Sequence, residues 1–264
     1  MMITIAKQEH RKEPIFLDST LSSEVIITAE EGSSAVIVDT VNHPRLHVTV
    51  AKNAFVRVWT LYQNPSVLTF HKRGEVKSKG KLEWVDVIIT DKELTIDLKT
   101  HLQEVGAETK QLQAFVGRNS QKIVITSDVV HEHNQTVSLM KAKGVLHDNA
   151  KLEYQGTIKI NKDAAGCRAD QRTDTLLFGD EARCDAVPIL EVENDNVQCS
   201  HGASMGQLDQ EQLFYVLSRG FDEHTAQQLI INGFLEPIIR EISDDSLQQK
   251  MTLLLQEKTH GHEN

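Results

Sequence analysis

The residue types best suited to chemistry are gathered in one short run, Gln198-Cys199-Ser200-His201-Gly202-Ala203-Ser204-Met205-Gly206. If this run is extended, Cys199 and His201, two apart, project from the same face. A thiolate and an imidazole together suit zinc or an iron–sulfur centre. A single C-x-H is a weak motif, and the plainer reading is a small buried Cys beside a hydrogen-bonded His. The other two cysteines, Cys167 and Cys184, lie far off in sequence, and three thiols without C-x-x-C cannot supply a four-thiolate cluster site. His131 and His133 fall on one strand face without a visible third ligand and read as surface or partner-facing histidines. His260 and His262 sit in a polar tail and read as solvated. Ser200 belongs to no hydrolase nucleophile motif, and neither a P-loop nor a dinucleotide fingerprint occurs.

Composition narrows the classes. The chain has 264 residues, 39% hydrophobic and 25% charged, ordinary values for a folded domain with one appendage. A net charge of -10 argues against a nucleic-acid binder held by a basic surface. No apolar run reaches the roughly 18 residues that a spanning helix needs, so no membrane association is expected. The opening Met1-Met2-Ile3-Thr4-Ile5 lacks the pattern of a signal peptide. The odd, widely spaced set of three cysteines points to a reducing compartment. A cytoplasmic location is expected, or an organelle matrix after removal of a transit peptide.

The elements that must position Cys199 and His201 are strands. From Ile3 to about Val197 the chain is built of short β-branched runs of period two, such as Val25-Ile26-Ile27-Thr28, Phe55-Val56-Arg57-Val58-Trp59 and Leu94-Thr95-Ile96-Asp97-Leu98. Polar breaks such as Glu31-Gly32-Ser33-Ser34 and Ala51-Lys52-Asn53 separate them, and a small residue (Ala35, Ala54, Ala107, Ala150) often opens the next run. Sandwiches, barrels and β-helices all fit this spacing. Two features favour a β-helix: the length of the strand region, and the lack of any Asn-Gly or Asp-Gly hairpin signal before residue 205. Rungs of roughly 20 residues are expected. Cys167, Cys184 and Cys199, 17 and 15 residues apart, then fall on neighbouring rungs, as ligands or as three small buried residues.

After Leu208 the period changes to that of helices. Asp209 and Asp222 are positioned as N-caps, Gly220 as a stop, Pro237 as the opening of a third short turn, and Ser243-Asp244-Asp245 as the cap of a last helix carrying Leu247, Met251, Leu254 and Leu255. The apolar stripes are wide for so small an annex. Either it docks on the end of the β-domain, or part of its apolar surface waits for a partner.

Several stretches resemble one family. Leu152-Glu153-Tyr154-Gln155-Gly156-Thr157-Ile158-Lys159-Ile160, then Gln171-Arg172-Thr173-Asp174-Thr175-Leu176-Leu177-Phe178-Gly179-Asp180, then Cys199-Ser200-His201-Gly202-Ala203 and Leu213-Phe214-Tyr215-Val216-Leu217-Ser218-Arg219-Gly220 are similar to the last rungs and following helices of the SufB/SufD scaffolds of SUF iron–sulfur cluster assembly. The close match covers about residues 145–242; residues 1–145 agree only in texture. The resemblance implies a mainly β fold, a right-handed parallel β-helix followed by a small C-terminal α-helical domain, divided at 1–205 and 206–264. It implies a scaffold and no catalysis by this chain. The implied partners are a SufC-like ATPase, docking through Leu213, Phe214, Leu217, Arg219 and Phe234, and a SufB-like chain pairing along the β-helix. The oligomer of the isolated chain stays open, a homodimer through the surface meant for SufB being one option. SufB carries a Cys where this chain has Thr173, and Glu-His-Glu where it has Ser200-His201-Gly202, whereas SufD carries Cys-Ser-His-Gly-Ala as here. The resemblance is therefore to SufD. His201 and Cys199 become the expected ligands of a transient iron–sulfur cluster shared with the partner chain, and FAD is implied only for the assembled complex. Two alternatives stay open: a solitary minimal homodimeric scaffold of the same family, and a β-helix carbohydrate-active enzyme, which leaves the helices and the Cys-Ser-His-Gly-Ala run unexplained.

Overall fold

A computed structural model describes residues 1–18, 23–63, 65–240 and 245–260. The expected cap residues Ser243 and Asp244, the stripe position Ile242 and the tail residue His262 lie outside the described residues. The strands are β1 (Met2–Ile5), β2 (Ile15–Phe16), β3 (Glu24–Ala29), β4 (Ser34–Asp39), β5 (Arg45–Val50), β6 (Phe55–Tyr62), β7 (Thr69–Val76) and β8 (Lys81–Ile88). They continue with β9 (Leu94–Leu102), β10 (Glu108–Gly117), β11 (Lys122–His131), β12 (Val137–His147), β13 (Lys151–Ile160), β14 (Cys167–Phe178), β15 (Arg183–Val192) and β16 (Val197–Gln207). Three helices follow, α1 (Gln210–Ser218), α2 (Glu223–Ile239) and α3 (Asp245–His260).

Odd-numbered strands form one eight-stranded sheet and even-numbered strands the other, in sequence order. Every strand pairs in parallel with the strand two before it, from Glu24↔Arg45 near one end to Cys167↔Val197 at the other. The fold is thus a parallel β-helix of two sheets, here called odd and even. Each sheet's inward rows of side chains stack into one core that runs from Ile5 to Cys184. The rungs are longer than the expected 20 residues and lengthen along the chain: 21 residues separate Glu24 from Arg45, and 32 separate Lys151 from Arg183.

The corners explain why no hairpin signals are needed. Where β3, β5, β7, β9, β11 and β13 turn into the next even strand, a residue adopts positive φ: Gly32 (71°), Asn53 (55°), Lys79 (53°), Gly106 (69°), Gln135 (59°) and Gly166 (68°). Each donates its backbone N–H to the corner of the next rung, as in Gly32 N to Lys52 O at 2.9 Å and Gly106 N to Asn134 O at 3.1 Å. Left-handed backbone favours Gly and Asn, so the polar breaks in the sequence are the corners of the coil.

The two sheets differ on their outer faces. Strand β9 of the odd sheet alternates strictly between buried and half-buried positions, whereas β8 of the even sheet is buried from Leu82 onward. The reason is the helical annex. Ile231, Leu235, Ile238 and Ile239 of α2 with Met251 and Leu255 of α3 pack on Val38, Trp59, Leu61, Val85, Val87, Leu112, Ala114 and Val145 of the even sheet. The annex therefore lies along the flank of the coil, not on its end, and the residue-206 boundary falls inside β16. Asp209 and Asp222 cap α1 and α2 as their sequence positions predict, accepting from Glu211 N and Thr225 N at 2.8 and 2.9 Å. Pro237 does not open a new turn. It sits inside α2, which runs on to Ile239, because the buried pair Ile238 and Ile239 anchors the last turn to the sheet.

Candidate functional site

The last rung is the site's frame. Its two strands, β15 and β16, end their sheets, so among the described residues each leaves one row of backbone N–H and C=O groups without a neighbouring strand. Cys199, His201, Ala203 and Met205 of β16 stack in register on Ala169, Gln171, Thr173 and Thr175 of β14. The four β14 residues are buried, at 5%, 1%, 1% and 2% exposure. One strand further out the same inward row is open: His201 and Ala203 are exposed, Met205 is 48% exposed and Cys199 is half-buried against the core. Cys199 and His201 do share a face, as the spacing predicts.

Thr173 lies on the strand beneath and two positions along from His201, under Ala203. Ser200 and Ser204 point to the opposite, outer face. There Ser200 Oγ donates to Asp170, and Ser204 Oγ donates to Asp174 Oδ1 at 2.7 Å. The run Gly202–Gly206 has the spacing G-x-S-x-G. Ser204 nevertheless sits within strand β16 and not on the strand-to-helix turn that exposes a hydrolase nucleophile. Asp170 and Asp174 bring carboxylates beside the Ser200–Ser204 strand; the alternation Arg168-Asp170-Arg172-Asp174 was their signal in the sequence. Ala203 and Met205 were equally legible, two and four residues beyond His201 on the same period.

The cysteine spacing has a different meaning from the one expected. Cys167 is on β14, Cys184 on β15 and Cys199 on β16, so each step crosses to the opposite sheet and covers half a rung. Cys167 is fully buried, its Sγ 3.1 Å from Thr136 Oγ1. Cys184 faces Thr175 at 3.4 Å, and burial pushes its thiol up. Among the described residues no group of three or more His, Cys, Asp and Glu could hold a metal ion. His131 is not a surface histidine. Its ring is fully buried between Thr136 Oγ1 (2.7 Å) and Ser138 Oγ (2.8 Å), and burial lowers its pKa to about 4.

On the annex, the five expected contact residues separate by burial. Leu213 is buried with Leu208 and Ala226, and Leu217 is half-buried against the same cluster. Phe234 is half-buried with Lys143 Nζ 4.4 Å above its ring. Phe214, by contrast, is 73% exposed, and Arg219 is exposed and stacks over Tyr215, donating to its hydroxyl at 3.0 Å. Tyr215 and Phe221, 58% and 46% exposed, extend this aromatic surface; both were missed because they fall off the apolar stripe that marked the others. No helix among the described residues is long and apolar enough to cross a membrane.

Comparison with known proteins agrees with this geometry. The family described as SUF system FeS cluster assembly, SufBD core domain, matches residues 12–234. The iron–sulfur cluster assembly protein SufD of Bacillus subtilis is 29% identical over 254 residues, covering 91% of this chain and 58% of its own length. A SufBD family iron–sulfur cluster assembly protein of Staphylococcus saprophyticus is 31% identical over 230 residues, covering 82% of this chain and 49% of its own. One from Staphylococcus aureus is 30% identical over the same length. The chain thus spans about half the length of the curated relatives it matches.

Proposed function

The chain belongs to the SUF-system SufBD family of iron–sulfur cluster assembly proteins, and on that premise we propose that it is a SufD-like scaffold subunit pairing with a SufB-like chain through its last rung. The observation that carries this reading is the open inward row at Cys199, His201, Ala203 and Met205, where the rung beneath is closed. Two sheet edges that end with free backbone groups and a partly apolar row favour strand addition by another chain. The cluster is then cargo at the joint. His201 is the first candidate ligand, since an imidazole can replace a thiolate at an iron–sulfur centre, and Cys199 the second. With Thr173 buried as a hydroxyl and Ser200 turned outward to Asp170, the partner supplies the remaining ligands, and any FAD belongs to the complex.

The second contact is a SufC-like ATPase on α1, where Phe214, Tyr215 and Arg219 form an exposed surface of the residue types that dominate interface energies. Leu213 and Leu217 anchor α1 from below, while Phe234 packs beside the even sheet. The domain division at 206 is retained in functional terms: strands for pairing, helices for docking.

The experiment is reconstitution with SufB-like and SufC-like chains, followed by gel filtration and cluster absorbance. His201→Ala is expected to keep the fold and the complex but lose cluster formation. Normal cluster rate and yield in that variant would return His201 to a structural role. Failure of the chain to co-elute with either partner would remove the scaffold reading itself.

A further inference from the structure

The open row of the last rung rests on a buried amide. Gln171 of β14 lies directly beneath His201 of β16 as its register neighbour, and it is 1% exposed. Its Nε2 donates across the coil to Gly156 O of β13 at 3.1 Å. Only glycine admits this approach, since a Cβ at position 156 would stand 2.1 Å from Gln171 Nε2. A carbonyl can only accept, so the amide nitrogen must face Gly156 and the amide oxygen must face away from it.

That oxygen, Gln171 Oε1, is buried and meets no donor. A bare buried acceptor carries its full desolvation penalty, so one in a folded chain asks for an explanation. Its surroundings narrow the choice. The register neighbour below, on β12, is Met140, which has no hydrogen to donate. Tyr154 also borders the Gly156 cradle, but Ser127 holds its hydroxyl. Above stands the exposed ring of His201, which carries one N–H in its neutral form and makes no hydrogen bond of its own among the described residues. Paired strands are about 4.8 Å apart, and register neighbours elsewhere in this coil reach each other. Ser204 and Asp174, on the same two strands, bond at 2.7 Å, and His71 and Asp97 on the odd sheet at 3.2 Å. An exposed ring has room to turn one nitrogen onto Oε1.

We infer that Gln171 is a positioning residue for His201. Its Oε1 accepts from one ring N–H, which fixes the tautomer and aims the other nitrogen, with its lone pair, out of the open end of the coil. A ligating histidine commonly donates its second ring N–H to a neighbouring acceptor in this way. The part Gln171 plays in cluster formation rests on the reading of His201 as a ligand; the hydrogen bond itself does not.

NMR of the ring nitrogens in the whole chain, labelled at histidine and free of partner and cluster, reads the bond directly. The His201 signals are those lost in His201→Ala. At alkaline pH the wild type is expected to show one ring nitrogen protonated and the other bare. Gln171→Met keeps the volume and deletes the acceptor, and its two ring nitrogens should average between the two states. Gln171→Glu keeps an acceptor oxygen and should restore the wild-type pattern. In the reconstituted complex, Gln171→Met is expected to lower cluster yield about 10-fold or more, the usual effect of losing such a support, while co-elution with the partners persists. Averaged nitrogens in the wild type, or an unchanged pattern in Gln171→Met, would overturn the inference. Normal yield in Gln171→Met beside a lost yield in His201→Ala would remove the positioning role alone, whereas normal yield in His201→Ala would remove the ligand reading on which that role rests. Should Gln171→Met not fold, the wild-type spectrum decides.

Discussion

The odd and even sheets share strand number, direction and interior, yet their outer faces follow different rules. On the odd sheet the outer face is charged: Arg73 and His71 meet Asp97, His101 meets Glu132, and Lys122 meets Glu153 at 2.7 Å. On the even sheet the corresponding face is Val38, Trp59, Leu61, Val85 and Val87 under two helices. A sheet with one wet face alternates, and a sheet covered on both faces reads as a continuous apolar run. The contrast between β9 and β8 follows from what covers each strand, not from any difference in strand propensity.

The largest test of this contrast is a buried charge. Val87→Asp puts an unpaired carboxylate under α2 and α3 and is expected to cost several kcal/mol in urea unfolding. Val124→Asp, on the half-buried outer face of the odd sheet, should cost no more than about 1 kcal/mol. Equal losses would mean that the annex does not hold the even sheet.

Acid titration probes both sheets at once. His131 on the odd sheet and His147 on the even sheet are both held near a pKa of about 4, by burial in each case and with Arg118 adding to it for His147. The unfolded chain, with histidines near pH 6.5, binds the extra protons first. Stability is therefore intact above about pH 6.5 and falls between there and about pH 4. The loss is on the order of 3 kcal/mol for His131. His131→Gln should flatten that slope in pH-dependent unfolding; an unchanged slope would place the titration elsewhere.

Ion pairs sharpen the comparison further. Glu83 is 2% exposed and accepts from Arg57 Nε at 2.6 Å on the helix-covered side. Glu83→Gln should cost about 1–3 kcal/mol by leaving a charge partner poorly met. Asp97→Asn on the wet sheet should stay within about 1 kcal/mol, measured by the same denaturation. The smallest expected effect on stability is that of Phe214→Asp, within about 0.5 kcal/mol at so exposed a position. The same variant should nonetheless abolish binding of a SufC-like ATPase in a pull-down. Retained binding would move the docking surface away from α1.

The sequence by itself determined the local grammar. Period-two β-branched runs, corner residues such as Gly32 and Asn53, and the caps Asp209 and Asp222 act within a few neighbours, so their spacing was enough to give strands, turns and helix starts. The shared face of Cys199 and His201 followed from the same period. Tertiary structure decided everything that depends on which rung stacks on which. Strand β7, Thr69-Phe70-His71-Lys72-Arg73-Gly74-Glu75-Val76, carries charge at an inward position and hid from the apolar pattern; Lys72 is buried because Asp86 and Thr60 stand opposite it. His131 reads as a surface residue until the hydroxyls of Thr136 and Ser138 close around it. The cysteine steps suggested whole rungs because rung length is set by strand and corner lengths summed around the coil. That sum grows toward the end of the chain. The place of the helices, and so the difference between the two sheets, was likewise undecided in the sequence. An apolar stripe records that a surface is to be covered, and only the packed chain fixes what covers it.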